Sequence, residues 1–335
     1  MNEDEPVDAI YTDFKNAFET MPHDLLLSVL PTKGVGERIT AWISDFLRGR
    51  SFKVKIRESL SRTGYATTGC PQGTLMGGTL FLLFIDQVKL IVPKPVEIFI
   101  YADDVKLAMK VRTAGDRDLF QSMLDDFSQW ADQMGLKLSM HKCSKMHFGV
   151  HNEQYSYKLN GIDLASAERI RDLGVLLSNR LEYKEHIADV VRRAALVSSW
   201  IMRAFTLRSP SAYLRLFEAH VIPIMTYASQ VWHPSQLGQV EDLRRVQKRF
   251  LRRVEHRCGL QRHELVITDI VDRLGKNDIV HFRKMIKDEK VFNEFFQLTT
   301  TSSRRGFVLS AHSRAKTRLV SDQFAWRIAS SVNSV

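Results

Sequence analysis

The feature that most constrains this chain is a pair of acids set between two apolar runs. Val96-Glu97-Ile98-Phe99-Ile100-Tyr101 leads into Ala102-Asp103-Asp104, and Val105-Lys106-Leu107-Ala108-Met109 leads away. Both runs have the length and the β-branched, aromatic character of strands, so the pattern predicts a hairpin with two carboxylates at its tip. Bringing adjacent carboxylates to the end of an apolar strand is costly unless a cation neutralises them. A further acid, Asp13, closes the apolar run Val7 to Thr12. A lone Asp at a turn ordinarily bonds its own backbone, so the conjunction of strand ends carries the reading. Three carboxylates meeting there suit two Mg²⁺ ions, which take oxygen ligands and keep water or phosphate oxygens in their shell. Two such ions about 4 Å apart activate an attacking hydroxyl and stabilise a leaving pyrophosphate.

Periodicity fills in the remainder. Short helices are predicted at Leu25–Leu30, stopped by Pro31, and at Glu37–Leu47, which ends before Gly49. Phe52-Lys53-Val54-Lys55-Ile56 alternates with period two and reads as a strand with one polar face. A turn over Gly69–Gly73 opens an apolar helix from Leu75, which Pro93 and Pro95 end. Asp116–Met134 is an amphipathic helix, and Lys145–Phe148 and Arg171–Leu177 read as strands. After Arg180 the pattern becomes all-helical, with one apolar stripe running through Val240, Leu243, Val246, Phe250, Leu251 and Val254. The fold class is therefore α+β. An α+β domain over 1–180 is followed by a basic helical region over 181–298 and a partly mobile, Ser-, Thr- and Arg-rich segment over 299–335.

Composition narrows the function classes. The three cysteines among 335 residues (Cys70, Cys143 and Cys258) are odd in number and far apart, which favours a reducing compartment over a disulfide framework. The acidic start lacks the apolar core of a signal peptide, and the longest apolar stretch is interrupted by Asp86 and Lys89. An intracellular protein without a membrane partner is expected. The net charge of +10 is concentrated: residues 192–262 hold 13 lysines and arginines against 4 acids, a balance suited to a polyanion. His141-x-Cys143-x₃-His147 and His256-x-Cys258-x₄-His263 lack four ligands at zinc-finger spacing, so no zinc site is expected.

The motifs then converge on a family. Tyr11-Thr12-Asp13-Phe14-Lys15-Asn16-Ala17-Phe18 is followed by Pro22-His23-Asp24, then by Gly69-Cys70-Pro71-Gln72-Gly73-Thr74-Leu75 and Tyr101-Ala102-Asp103-Asp104. Met134-Gly135-Leu136-Lys137, Lys142-Cys143 and Asp172-Leu173-Gly174-Val175 complete the order. With these motifs the chain resembles reverse transcriptases, more narrowly those of non-LTR (LINE-type) retrotransposons. The resemblance implies a polymerase palm with an antiparallel sheet over 1–180 and a helical thumb after it. It implies RNA-directed DNA synthesis, with an RNA template, a DNA primer, dNTPs and two Mg²⁺ ions, in nucleus and cytoplasm. Asp13, Asp103 and Asp104 would bind the metals, joined by the backbone carbonyl of Phe14. Phe18 would stand beneath the sugar as a steric gate, Gln72 between Pro71 and Gly73 would reach the nucleotide, and Tyr101 would lie beside it. Lys142 would donate a proton to the pyrophosphate. Arg244, Arg245, Lys248, Arg249, Arg252 and Arg253 would meet nucleic acid.

Two departures stand out. Glu19 occupies a position where the family most often has Asp. Only twelve residues precede Asp13, whereas the family carries a fingers subdomain and an endonuclease ahead of it. The expectation is an N-terminally truncated polymerase that binds a primer–template weakly and extends it poorly or not at all; the alternative is an inactive remnant that only binds nucleic acid.

Overall fold

The computed structural model describes residues 5–300, 307–311 and 324–333. It is a mixed α/β chain that divides into two compact units, one running to Glu168 and one starting at Arg169. The division falls ahead of residue 180. Arg169–Asp172 and Val175–Ser178 form an antiparallel hairpin around Gly174, and its second strand packs on helix Lys184–Ala204. The single strand expected over Arg171–Leu177 is therefore two, because Leu173 and Gly174 both have positive φ and turn the chain back.

The first unit is built on a five-stranded sheet. Its order is Ala165–Ser166, Ser144–Phe148, Val7–Thr12, Asp104–Lys110, Glu97–Tyr101. All neighbours are antiparallel except Ala165–Ser166, which runs parallel to Ser144–Phe148. Val7–Thr12 is the central strand, and five of its six residues are buried. Val105, Leu107 and Met109 alternate inward and share one core with Phe120, Met123, Leu124 and Phe127 of helix Ala114–Gln133. Phe81, Phe84 and Ile85 of helix Leu75–Ile85 join that core. Full burial of such a side chain contributes about 2 kcal/mol, so the sheet is clamped chiefly through these rings.

Local signals explain several boundaries. Helix Ala114–Gln133 starts two residues ahead of Asp116, because Thr113 and Asp116 form a reciprocal capping box. Thr74 caps Leu75–Ile85 by accepting from Gly77 N–H at 3.1 Å. Pro31 does not stop its helix, which runs His23–Thr32. Near a C-terminus the missing donor costs only one bond, and Gly34 at φ +79° then turns the chain. The strand expected over Phe52–Ile56 is two short pieces, Ser51–Phe52 pairing with Gly64–Tyr65 and Lys55–Ile56 pairing with Ser59–Leu60. The register slips by one residue between them, as a bulge requires.

The second unit packs Ile187, Val190, Ala194 and Ile201 of Lys184–Ala204 against Tyr213 and Phe217 of Pro210–His220. Leu243, Val246, Phe250 and Val254 of Leu237–Cys258 close the core, with the Phe217 and Phe250 rings stacked at 4.5 Å. The all-helical expectation fails near its end. Phe296–Thr300 and Phe307–Ala311, two runs rich in aromatic and β-branched residues, pair as an antiparallel hairpin, and Phe324–Asn333 is a helix. Of the segment expected to be partly mobile, residues 301–306, 312–323, 334 and 335 lie outside the described residues. Among the described residues no helix is long and apolar enough to cross a membrane.

Candidate active site

Register brings the sequence-distant acids to one place. Thr12 pairs with Val105, and Tyr101 pairs with Asp104. One step beyond the first of these pairs sets Asp13 opposite Asp104. The pairing of Tyr11 with Ser144 points Asp13 toward Lys142 in the same way. Directly opposed side chains share a sheet face, so Tyr101, Asp104, Asp13 and Lys142 form one row across the end of the sheet. The Lys142 ammonium lies 3.2 and 3.3 Å from the two Asp13 carboxylate oxygens. The next row repeats the logic: the Lys106 ammonium sits 4.9 Å from the Phe99 ring centre and 5.6 Å from that of Tyr11. Tyr101 is 67% exposed, so this end of the sheet is open to a ligand.

Asp103 occupies the two-residue turn with Ala102, whose φ of +53° is a left-handed conformation that an L side chain adopts only under strain. Past Asp13 the chain leaves the strand and pairs with a different segment. Ser139 N–H donates to the Asp13 carbonyl and Lys15 N–H to the Lys137 carbonyl, both at 2.7 Å. Phe14 faces Leu138 in that bridge, with its ring buried in the core. The ladder uses the carbonyl of Asp13 and not that of Phe14.

The two glycine-flanked loops are stitched together. Cys70 N–H donates to the Phe18 carbonyl at 2.9 Å, Gly69 N–H to the Met21 carbonyl at 2.8 Å, and the Thr68 hydroxyl to the Glu19 carbonyl at 2.8 Å. Gly69 has φ +75°, and a Cβ there would stand 2.6 Å from the carbonyl oxygens of both Phe18 and Glu19. Only glycine fits. The exposed Gln72 side chain donates to the Glu19 carboxylate at 3.2 Å, a partnership that sequence alone did not indicate. The Pro71 carbonyl accepts from the Thr74 hydroxyl, and Gly73 has open space around it. The half-buried Phe18 ring stacks on Phe81 with centroids 4.1 Å apart. Burial pushes the Cys70 thiol up to about 11, against a smaller opposing effect of Arg50, so it stays protonated.

The basic helix Leu237–Cys258 is less free than its charge suggests. Arg244 pairs with Asp269 at 2.8 Å, Arg245 with Asp242 at 2.8 Å, and Lys248 with Glu241 at 3.1 Å. Arg253 donates to the Ser199 hydroxyl. Arg249 and Arg252 are exposed and paired with no acid among the described residues.

Beneath the sheet lies a network that the sequence reading missed. The fully buried Asp8 carboxylate contacts the His147 ring at 2.7 Å and accepts from the Asn152 amide at 2.8 Å and the Tyr157 hydroxyl at 2.6 Å. Burial and the Asp8 carboxylate hold the Tyr157 phenol far above its usual range. Asp8 lies inside an apolar strand, and the sequence offers no signal of its partners.

The oxygen-only donors of Asp13, Asp103 and Asp104 match the chemistry Mg²⁺ takes. Among the described residues no three His, Cys, Asp or Glu side chains gather into a metal-binding group, and Asp13 is paired with Lys142.

The open sheet end thus carries Asp13 and Asp104, with the glycine loop and its Phe18–Glu19 partner forming a second, separately stitched feature. Residues 8–177 match the model of the family described as reverse transcriptase (RNA-dependent DNA polymerase), and the chain belongs to that family. It is similar to the RNA-directed DNA polymerase from mobile element jockey of Drosophila funebris, 25% identical over 73% of this chain and 28% of that protein. The jockey polymerase of Drosophila melanogaster is 24% identical over 79% of this chain and 30% of its own length. The chain thus spans under a third of either relative. Among solved structures, telomerase from Candida tropicalis in complex with a TWJ fragment of telomeric RNA is similar over 82% of this chain and 50% of that one. At 12% identity and a TM-score of 0.41, that likeness carries no argument.

Proposed function

We propose that this chain carries the catalytic part of an RNA-directed DNA polymerase, extending a DNA 3′ end along an RNA template with dNTPs, in nucleus and cytoplasm. The unit to Glu168 serves as the palm and the helical unit as the thumb. The observation that carries the reading is the cross-strand row of Tyr101, Asp104, Asp13 and Lys142, which gathers acids and a cation at one open sheet end. Asp13, Asp103 and Asp104 would hold Mg²⁺, with the Phe14 carbonyl completing one site. When bound, two Mg²⁺ ions supply the positive charge that activates the primer 3′-hydroxyl and stabilises the leaving pyrophosphate. The protein's own share is placement and proton transfer. Gln72, held by Glu19, faces the incoming nucleotide between Pro71 and Gly73. Phe18, backed by Phe81, bounds the sugar, and Tyr101 gives the primer end an apolar surface. Lys142 on Asp13 has a proton to give to the pyrophosphate.

Primer extension on an RNA template with Mg²⁺ and four dNTPs tests this. Asp103→Ala is expected to lower the rate about a hundredfold or more. Asp13→Asn and Asp104→Asn should weaken Mn²⁺ binding measured by electron paramagnetic resonance, a readout independent of turnover. Extension that survives Asp103→Ala, or Mn²⁺ binding unchanged by Asp13→Asn and Asp104→Asn, would sink the reading.

A further inference from the structure

The ribbon over residues 51–65 is the most exposed regular structure in the first unit. Every residue from Ser51 to Thr63 is exposed, and so is Tyr65. It carries five large apolar side chains in the open: Phe52 (56% exposed), Val54, Ile56, Leu60 and Tyr65 (71%). Between them stand Lys53, Lys55, Arg57 and Arg62, against the single acid Glu58. None of these four cations is in an ion pair among the described residues. By contrast, three of the six basic residues singled out on helix Leu237–Cys258 are paired with acids.

The ribbon is also held in shape. Ser61 N–H donates to the Val54 carbonyl at 2.9 Å, Val54 N–H donates to the Ser61 hydroxyl at 3.0 Å, and Ala66 N–H donates to the Arg50 carbonyl at 2.9 Å. The Phe52 ring lies against Gly64, where a Cβ would stand 2.7 Å from it. One side of the ring is thus backed by main chain while over half of the side chain stays open to solvent. A merely solvated ribbon would not expose this much apolar surface, and a purely apolar docking strip would not be laced with unpaired cations.

Aromatic faces interleaved with free cations match one chemistry. Bases of an unpaired strand present π-faces and its phosphates present negative charge, whereas a duplex hides the faces of its bases. We infer that residues 51–65 form a binding site for single-stranded nucleic acid that wraps the ribbon edge, one base stacking on Phe52 on one face and another on Tyr65 on the opposite face, with phosphates meeting Lys53, Lys55, Arg57 and Arg62. This ribbon would act whether or not the acid row catalyses.

Fluorescence anisotropy of a labelled single-stranded RNA of about 15 nucleotides, titrated with the full chain over a salt series, tests it. Phe52→Ala with Tyr65→Ala should weaken binding about tenfold or more while leaving the salt slope unchanged. Lys53→Ala with Lys55→Ala should flatten the slope by about one to two units. Phe52→Tyr with Tyr65→Phe keeps the π-faces and should restore affinity, which separates stacking from misfolding. Unchanged affinity in the alanine pair overturns the site. So does a dimer in sedimentation velocity that the alanine pair dissociates, since the ribbon would then be covered by a second copy. Asp103→Ala should keep wild-type affinity for the single strand. Loss of extension with retained strand binding, and the reverse, therefore separate failure of the polymerase reading from failure of the ribbon.

Discussion

Gly69 and Gly73 look alike in sequence, both with φ +75°, yet they answer different demands. At Gly69 a methyl group would collide with two carbonyl oxygens, while at Gly73 nothing lies within 4 Å. Gly73→Ala should therefore cost only the strain of a left-handed alanine, about 1 kcal/mol. Gly69→Ala should cost at least about 2 kcal/mol in urea denaturation, because the Phe18–Glu19 backbone must also move. It should also depress primer extension more than Gly73→Ala does. Equal effects of the two substitutions would mean that the loop is softer than its hydrogen bonds indicate. The turn itself was legible as Gly-Cys-Pro-Gln-Gly, and the acids were legible because each ends an apolar run. The Glu19–Gln72 pairing was not, since it spans 53 residues between two polar loops. Nor was the contact of Asp8 with Tyr157, which are 149 positions apart. Residue type says that a buried carboxylate needs partners; only the sheet says which.

At the scale of elements, a period of 3.6 was enough to place helix Leu237–Cys258 and its apolar stripe. It could not say how much of the charge is already engaged. Asp269 lies 25 residues beyond Arg244, and Ser199 lies 54 before Arg253. A cation committed to an acid releases few counterions when a phosphate approaches, so the salt dependence of binding should track the uncommitted residues. Arg249→Ala with Arg252→Ala should flatten the slope for an RNA–DNA duplex by about two units. Arg245→Ala with Lys248→Ala should leave it nearly unchanged, a result that equal losses from both pairs would contradict. Short strands were the least legible elements. Ala165–Ser166 and the Ser51–Tyr65 ribbon are two-residue pieces whose pairing is decided by neighbours and by a bulge, not by propensity.

On the scale of the whole molecule, a single buried histidine sets how the helical unit should respond to acid. His186 is buried in the helical unit, its Nδ1 accepting from Leu176 N–H at 3.1 Å. Its Nε2 has no partner among the described residues. Burial first, then Arg193 and Arg171, pull its pKa down from 6.5 to about 4. The unfolded chain takes up this proton near 6.5 and the folded chain only near 4. Stability is therefore fully present above 6.5 and is lost as pH falls toward 4, by up to about 3 kcal/mol. Calorimetry between pH 7 and 5 should show a transition falling with pH, and His186→Gln should flatten that fall; an unchanged dependence in the variant would exclude His186 as its source. Sheet order carries a consequence of another kind, one of time. Val7–Thr12 is the central strand, yet its two partners begin at Asp104 and Ser144. During synthesis at about 5–20 residues per second, this largely buried strand leaves the ribosome roughly ten seconds before its second partner exists. The nascent chain carries that strand unpaired through the interval, so slowing its translation should lower the yield of folded protein, measured as the soluble fraction, rather than raise it.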